Sequence, residues 1–304
     1  MDNTLYKTNR RRRQEKRRKR VIHKIIFVAL CCVISLIIFL GKSISYFLNS
    51  NYNETPVPKS SIKIDDNENM QASDNNTLNQ LKKLAKSNKK IKTVIKNIDD
   101  YPENLLQLLI RNQETTDFVL NYPNIKDNTK KIKLSNEETN GEIPLFIQWD
   151  NRWGYSKYGE EIMGLSGCGP TCLSMVVVGL TGDTSANPRE VAKFSETNGY
   201  RVPGNGTDWS LFSKGAKKYG LEVKELPLWE DGIIKEIENG HPIICCVGPG
   251  DFTTTGHFIL IYGYEDGKFS VHDPNSIIRS SKKWSYEKIK GQIRNLWSYS
   301  YKKE

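Results

Sequence analysis

The residue best placed for chemistry is Cys168, which lies in a Gly-Cys-Gly-Pro stretch directly ahead of an apolar run. Pro170 suits the first turn of a helix, where a missing N–H is harmless, so we predict a helix that starts at the cysteine. A thiol there feels the positive end of the helix dipole, which lowers its pKa and favours the nucleophilic thiolate. We therefore predict that Cys168 is a nucleophile, with its glycines leaving backbone N–H groups open to a ligand, and that Cys172, one turn later, is a core residue.

A nucleophilic cysteine needs a base, and a histidine is the commonest one. The chain has four histidines, of which His23 lies beside a long apolar run and His241 lies in an Asn-Gly-His-Pro turn. His257 follows a glycine and opens the apolar stretch FILIYGY, which predicts a strand. This position makes His257 the predicted general base.

Asp273 is the predicted third member of the group. Glu265-Asp266-Gly267 separates two apolar stretches and predicts a three-residue hairpin loop. That register places Asp273 diagonal to His257 on one sheet face, where it can orient the imidazole and stabilise its charged form. A two-residue loop would place them on opposite faces. In the alternative interpretation, Asp273 simply caps the turn before Pro274.

Acyl transfer also needs a hydrogen-bond donor for the oxyanion. Gln148 precedes the cysteine by 20 residues and is the best side-chain candidate, with the backbone N–H of Cys168 as a second donor. We expect residues 205–208 and 251–255 to form loops that rim the site. No sequence pattern for zinc ligands or a phosphate-binding loop occurs, so we predict neither a metal nor a cofactor.

With Gln148, Gly167-Cys168-Gly169-Pro170-Thr171, Gly256-His257-Phe258 and His272-Asp273-Pro274 in this order, the sequence resembles bacterial papain-like peptidases related to the bacteriocin leader (double-glycine) peptidases. The resemblance covers residues 141–300. It implies a papain-like α+β fold with Cys168 as nucleophile, His257 as general base and acid, Asp273 as orienting residue and Gln148 as oxyanion donor. It also implies hydrolysis of peptide or amide bonds through a thioester.

The chain departs from the leader peptidases in two respects. Those enzymes are usually fused to an exporter ATPase and act on the cytoplasmic side, whereas no ATPase sequence is present in this chain and we expect its domain to face outward. The substrate therefore stays open among cell-wall peptide, a secreted protein and a surface peptide. The alternatives are a cell-wall amidase or transpeptidase with the same chemistry, and an inactive surface module in which Trp149, Trp153, Tyr155 and Trp209 line a peptide or glycan groove.

The elements that must position these residues lie in the C-terminal half. All six tryptophans follow residue 148, so we place the packed core there. The patterns predict helices over 170–180, 188–196, 210–219 and 229–239, and strands over 243–247, 258–264 and 269–272. Helices that precede an antiparallel sheet indicate an α+β domain over residues 141–300.

A second helical segment precedes this domain. Apolar residues recur at helical spacing between residues 78 and 122, which predicts a helical accessory region over 77–125. It is too short to bury much surface alone, so we expect it to pack on the next domain or on a partner. Residues 45–76 are polar and predict a flexible tether, and residues 126–141 predict a polar linker.

The N-terminal segment predicts a membrane anchor. Residues 25–41 contain no charge and, with flanking residues to 44, can cross a bilayer. No cleavage site of the signal-peptide type follows. The positive-inside rule places the basic tail, residues 1–24, in the cytoplasm and the remainder outside the cell.

Nearly all of the net charge of +10 lies in that tail, which has eleven Lys and Arg against two acids. This arrangement indicates anionic membrane lipids as the partner of the tail and argues against nucleic acid. The six cysteines fall in three close pairs, at residues 31 and 32, 168 and 172, and 245 and 246. We expect no disulfide framework from this spacing.

Overall fold

The computed structural model describes residues 76–125, 131–204 and 206–302. The predicted basic tail and membrane segment lie outside the described residues, as does the predicted tether up to residue 75. Within the described ranges, no helix is long and apolar enough to cross a membrane. The α-helices are α1 (76–84), α2 (Lys89–Lys96), α3 (Glu103–Arg111), α4 (Thr116–Asn121), α5 (Met163–Ser166), α6 (Cys168–Thr181), α7 (Pro188–Thr197), α8 (Ser210–Ser213), α9 (Glu230–Glu238), α10 (Ile277–Ser280) and α11 (Tyr286–Ile289).

The strands form one six-stranded antiparallel sheet and two small ribbons, β1–β2 and β3–β4. The order in the large sheet is β5-β10-β6-β7-β8-β9. The strands are β1 (Lys157–Tyr158), β2 (Glu161–Ile162), β3 (Arg201–Val202), β4 (Gly206–Thr207), β5 (Glu222–Glu225), β6 (Ile243–Val247), β7 (His257–Glu265), β8 (Lys268–His272), β9 (Lys283–Trp284) and β10 (Ile293–Ser300).

The large sheet is buried on both faces, which explains why β6 and the first half of β7 are continuously apolar. Ile244 and Leu260 point into a cluster built around α6, on one face. Ile243 and Ile259 point into a second cluster that includes Ile233 of α9, on the other face. The sheet therefore lies between helices, and the first residue of α6 is held against the ends of the central strands.

The predicted helices and strands of this domain are present, with two differences. The predicted helix over 210–219 divides into α8 and a 3₁₀ helix, Gly215–Tyr219. Strands β5, β9 and β10 of the large sheet were not predicted, although β10 is a central strand paired with both β5 and β6. Its sequence, IRNLWSYS, mixes polar and apolar residues without clean alternation, so periodicity alone does not reveal it.

The predicted three-residue hairpin loop between β7 and β8 is wrong. Glu265 pairs with Lys268, so the loop has two residues, Asp266 and Gly267, both with positive φ. A bulge between Ile261 and Gly263 then adds one residue to β7 and shifts the register by one. Beyond the bulge Leu260 pairs with His272, which is the register that a three-residue loop would have produced. The bulge thereby restores the face on which His257 and Asp273 can meet.

The helical region, residues 76–125, packs on the C-terminal domain. Its core cluster includes Phe118, which is buried, and Trp149 and Tyr155 pack against that cluster. Phe118 stacks on Tyr155 at a ring distance of 4.2 Å. A Cβ added to Gly154 or Gly164 would come within 2.7 Å of the Phe118 ring, so both positions require glycine. The close fit shows that this region is a docked part of the molecule.

The predicted polar linker also packs where the structure describes it, from residue 131 onward. Leu134 is buried in the main core cluster. Glu138 accepts two hydrogen bonds from the Arg152 guanidinium, at 2.6 and 2.9 Å. These contacts attach residues 131–139 to the domain that follows.

Candidate active site

Cys168 is the first residue of α6, and Gly167 occupies the N-cap position. The thiol is half-buried, whereas Cys172 is fully buried in the main core, as predicted. The flanking glycines serve packing rather than ligand approach: a Cβ on Gly169 would lie 2.6 Å from Thr207 Oγ1, and one on Gly167 would lie 2.6 Å from a backbone oxygen. The glycines therefore allow the start of the helix to fit against its neighbours.

His257 is the first residue of β7, opposite Val247 of β6. Its ring is only 7% exposed, and Nε2 lies 2.8 Å from Asp273 Oδ1. Because Nε2 faces the carboxylate, Nδ1 remains for the other partner of the ring, the Cys168 thiol, which is hydrogen-bonded to this imidazole. Asp273, His257 and Cys168 thus form a continuous chain of contacts.

The contacts from Asp273 through His257 to Cys168 favour a negative charge on the cysteine and a positive charge on the histidine. Burial works to raise the pKa of the Cys168 thiol, but contacts with His257 and with the backbone N–H groups of Phe258 and Gly169 lower it below its usual value. Burial opposes protonation of His257, but the Asp273 carboxylate and the thiol raise its pKa to about 10. The arrangement favours a thiolate beside an imidazolium.

Asp273 is fully buried and ionised, and several donors stabilise its charge. Oδ1 also accepts a 2.8 Å hydrogen bond from the backbone N–H of Asn275, and Oδ2 accepts one from Arg279 Nε. Although burial raises the pKa of a carboxyl group, His257 and Arg279 hold the pKa of Asp273 below its ordinary value. Sequence reasoning missed Asn275 and Arg279, because hydrogen bonds within a tight turn leave no spacing signal.

Gln148 lies at the same site and is 3% exposed. Its backbone N–H donates to Pro274 O at 2.7 Å, which ties it to the turn that follows Asp273. The side-chain amide donates one hydrogen to Gly164 O at 2.9 Å, while Oε1 is buried without a partner in the described part of the chain. The amide carries a second hydrogen, so Gln148 retains one donor for a ligand.

A cleft of about 1100 Å³ contains Gln148, Cys168 and His257. Its rim includes residues 206–208 and 250–256, so the described parts of both predicted segments lie at the cleft, although Gly206 and Thr207 form strand β4 and not a loop. The helical region supplies a further stretch of wall through Leu108, Arg111 and Asn112 of the segment 108–112. The sequence did not predict that this region lines the cleft, since its helical pattern indicates only that it packs on the next domain or on a partner.

Among the four aromatic residues predicted to line a groove, only Trp209 lines this cleft, with 46% of its surface exposed. Trp153 is completely buried, and Trp149 and Tyr155 pack against the helical region. In the described ranges no group of three or more His, Cys, Asp or Glu side chains is arranged to hold a metal ion. A thiolate beside an imidazolium in this cleft can make a nucleophilic attack with acid–base help from the imidazole.

Two of the solved structures that are similar to this chain are peptidases. One is the peptidase domain of Streptococcus ComA, a bi-functional ABC transporter involved in a quorum-sensing pathway: identity is 20%, the TM-score is 0.36, and the match covers 45% of this chain and 93% of that one. The other is a C39-like peptidase from Bacillus anthracis, with 18% identity and a TM-score of 0.36, covering 54% of this chain and 97% of that one. A search of curated proteins finds no match.

The family assignment comes from the sequence model described as the Peptidase_C39 like family, which matches residues 141–304. That range is more than half of the 304 residues, and it begins where the predicted domain begins. Its members are cysteine peptidases related to the bacteriocin leader peptidases, and their substrates are peptides or proteins. The chain belongs to the Peptidase_C39 like family and is a cysteine-type peptidase.

Proposed function

We propose that this peptidase is anchored in the cell membrane with its catalytic domain outside the cell, and that it cleaves peptide bonds with Cys168, His257 and Asp273, assisted by Gln148. The observation that carries the proposal is the chain of contacts from the Asp273 carboxylate through the His257 imidazole to the Cys168 thiol, in an open cleft. A buried carboxylate beside an imidazole and a thiol with a lowered pKa are the parts that an activated cysteine nucleophile requires.

In the first half of the proposed reaction, the Cys168 thiolate attacks the carbonyl carbon of the scissile bond. A C–S bond forms, and the carbonyl oxygen becomes an oxyanion, which accepts hydrogen bonds from the free Gln148 N–H and the Cys168 backbone N–H. The latter has no partner within the helix because it belongs to the first turn of α6. The His257 imidazolium then donates its Nδ1 proton to the leaving nitrogen, the C–N bond breaks, and a thioester and a free amine result.

In the second half, neutral His257 accepts a proton from water while the water oxygen attacks the thioester. The C–S bond breaks, the carboxylic acid product leaves, and Cys168 is again a thiolate. The proton taken from water stays on His257, which is again an imidazolium. Asp273 holds the ring orientation throughout and stabilises the imidazolium, and it does not itself take up the proton.

The membrane part of the proposal is supported by the amino-acid sequence of residues 1–44. An uncharged apolar run follows a strongly basic tail, and this order places the tail in the cytoplasm by the positive-inside rule. Anionic lipids of the inner leaflet attract such a tail, by roughly 1 kcal/mol per basic residue close to the surface. The substrates within reach of the catalytic domain would then be peptides or proteins outside the cell, cell-wall peptide included.

One experiment tests both the thiol and its location. Cells that express the full chain are treated with iodoacetamide, which crosses membranes, or with a charged thiol reagent that does not, and the labelled cysteine is identified by peptide mass. We expect Cys168 to react with both reagents in intact cells at about pH 6, below the range of an ordinary thiol, and to react much more slowly in His257→Ala.

Each part of the proposal has its own contradictory result. If Cys168 reacts no faster than an ordinary thiol and is indifferent to His257, the catalytic assignment is wrong and an inactive binding module is the better interpretation. If Cys168 reacts with iodoacetamide in intact cells but reacts with the charged reagent only after lysis, the domain faces the cytoplasm and the proposed orientation is wrong.

A further inference from the structure

We infer that Glu114, in the helical region outside the family domain, is a positioning residue that holds Asp273 in place for His257. The inference rests on the proposed function, because it concerns the same catalytic group. It assigns to the helical region a part in the reaction beyond packing, exerted through the segment 273–280 that follows strand β8.

Glu114 uses both of its carboxylate oxygens on this segment. Oε1 accepts a hydrogen bond from Ser276 Oγ. Oε2 accepts hydrogen bonds from the backbone N–H groups of Ile277, at 2.8 Å, and Ile278, at 3.1 Å. A carboxylate at the first N–H groups of a helix also interacts favourably with the helix dipole, so Glu114 fixes the beginning of α10.

The rest of α10 is bound to Asp273. Arg279 Nε donates to Asp273 Oδ2, and the Asp273 backbone N–H donates to Ser280 Oγ at 2.8 Å. Arg279 and Ser280 lie in the same helical turn that Glu114 caps. A displacement of that turn would move the guanidinium and hydroxyl groups that set the position and charge of Asp273.

A second contact from the helical region reaches Asp273 by a separate route. Asn112 Nδ2 donates to the backbone oxygen of Asn275, and the backbone N–H of Asn275 donates to Asp273 Oδ1. Asn112 is buried, and its own Oδ1 accepts from the backbone N–H of Glu114 at 3.1 Å. The two residues therefore belong to one turn of the helical region, which contacts the middle of the segment at residues 275–278.

The second half of this segment, α10, is held mainly by polar contacts, among them hydrogen bonds from Trp284 Nε1 to Arg279 O and from Ser280 Oγ to Ser276 O. α10 has only four residues, and a helix of that length is unstable by itself. Its two isoleucines, Ile277 and Ile278, are 51% and 57% exposed, so apolar burial contributes little to its position. The charged hydrogen bonds from Glu114 add to the cap that Ser276 Oγ provides by accepting from the backbone N–H of Arg279.

Docking of the helical region and positioning of Asp273 are separable. Phe118 and the glycines that it contacts provide the apolar docking surface, whereas the Glu114 carboxylate accepts its hydrogen bonds from the segment 273–280. Asp117 offers a matched control, since it is an exposed acid three residues away that pairs with Lys90 within the helical region. Replacing either acid by its amide removes one charge and keeps the size of the side chain.

The test compares Glu114→Gln and Asp117→Asn with wild type in the full chain, using the rate of Cys168 alkylation by iodoacetamide from about pH 5 to about pH 9. The titratable and charged groups that face Asp273 are His257 on β7, Arg279 on α10 and the Cys172 thiol on α6. Those that face Cys168 include His257, Tyr158, Cys172 and Cys246, and all of these groups stay intact. We expect Glu114→Gln to move the rate profile to higher pH and to lower the rate at about pH 6 by roughly three- to tenfold, since one pKa unit changes the thiolate fraction tenfold. Asp117→Asn should superimpose on wild type.

A third variant, Glu114→Asp, retains the carboxylate and should give an intermediate profile, and it keeps the test valid if Glu114→Gln does not fold. The inference is overturned if wild type shows an activated Cys168 and the folded Glu114 variants reproduce its profile. A wild-type Cys168 that behaves as an ordinary thiol would instead contradict the proposed function itself, so the two failures are distinguishable.

Discussion

His257 and His272 lie on neighbouring strands of the same sheet and are almost equally buried, at 7% and 8% exposure. Their protonation is nevertheless opposite. The pKa of His257 is raised to about 10, whereas burial lowers the pKa of His272 to about 4. Burial alone favours a neutral imidazole, so His272 shows what the protein interior does to a histidine without a charged partner.

The difference comes from the atoms that face each ring. His257 Nε2 faces the Asp273 carboxylate at 2.8 Å. His272 Nε2 faces the neutral carbonyl oxygen of Ile143 at 3.1 Å, and its Nδ1 has no partner among the described residues. A second pair repeats the contrast: Cys168 has a lowered pKa beside His257, while burial raises the pKa of Cys172, one turn along α6. For the two histidines, whose burial is almost equal, the charged partner accounts for the difference, while the two cysteines differ in burial as well as in their partner.

The largest test of this contrast compares Cys168→Ala with Cys172→Ala. We expect the first substitution to reduce peptide hydrolysis by on the order of 10⁴-fold or more, because it removes the proposed nucleophile. The second should leave hydrolysis close to wild type and lower the free energy of unfolding by about 1–2 kcal/mol through a small cavity. Hydrolysis of a fluorescent peptide library and denaturant unfolding measure the two effects. Equal loss of hydrolysis in both folded variants would contradict the assignment of the nucleophile.

A smaller effect is expected for Asp273→Asn, which makes the surroundings of His257 more like those of His272. The variant keeps the shape of the side chain but removes the charge that stabilises the imidazolium, and we expect hydrolysis to fall by roughly 10²- to 10⁴-fold. The alkaline limb of the pH profile, set by His257 at about 10 in wild type, should move to lower pH.

The matched control for that variant is Asp266→Asn, in the β7–β8 turn. Asp266 has a φ of 49°, a conformation that asparagine also adopts readily. We expect its rate and pH profile to match those of wild type. An unchanged alkaline limb in Asp273→Asn would show that the carboxylate does not set the pKa of His257.

The smallest effect concerns the stability contributed by keeping His272 neutral. Its pKa is about 4 in the folded protein and 6.5 in the unfolded chain, so the unfolded chain binds the proton first. Stability is therefore fully present above pH 6.5 and is lost as pH falls toward about 4, by up to about 3 kcal/mol from this residue. His272→Gln keeps a donor for Ile143 and should lose less stability between these pH values, as measured by denaturant unfolding. An equal loss in both proteins would exclude His272 as the source.

The hairpin of β7 and β8 shows which features could be predicted from the sequence and which could not. The positions of His257 and Asp273 at the ends of two apolar strands were predictable, since strand limits follow hydrophobic patterning. The loop length was not, because Asp266 and Gly267 form a two-residue turn and a bulge near Tyr262 compensates for it. Both arrangements place the two side chains together, so the predicted proximity held although the predicted register at the turn was wrong.

The residues that hold Asp273 in position could not be predicted from the sequence. Arg279 lies six residues beyond the aspartate, and Glu114 lies 162 residues before the serine that it contacts. Neither separation is that of a local motif. Hydrogen bonds of this kind form only when distant segments have already packed, so no local sequence pattern predicts them.

By itself, the sequence determined the candidate nucleophile, base, orienting carboxylate and oxyanion donor, the longer helices and the strands β6 to β8, and the concentration of positive charge in residues 1–24. These features depend on residue type and short-range spacing, which propensity and periodicity express directly. Only the tertiary structure decided which of two equally buried histidines becomes charged, that the helical region forms part of the cleft wall, and that Glu114 reaches the segment beside Asp273. Those outcomes depend on distances between residues far apart in the chain, and such distances exist only after packing has brought the residues together.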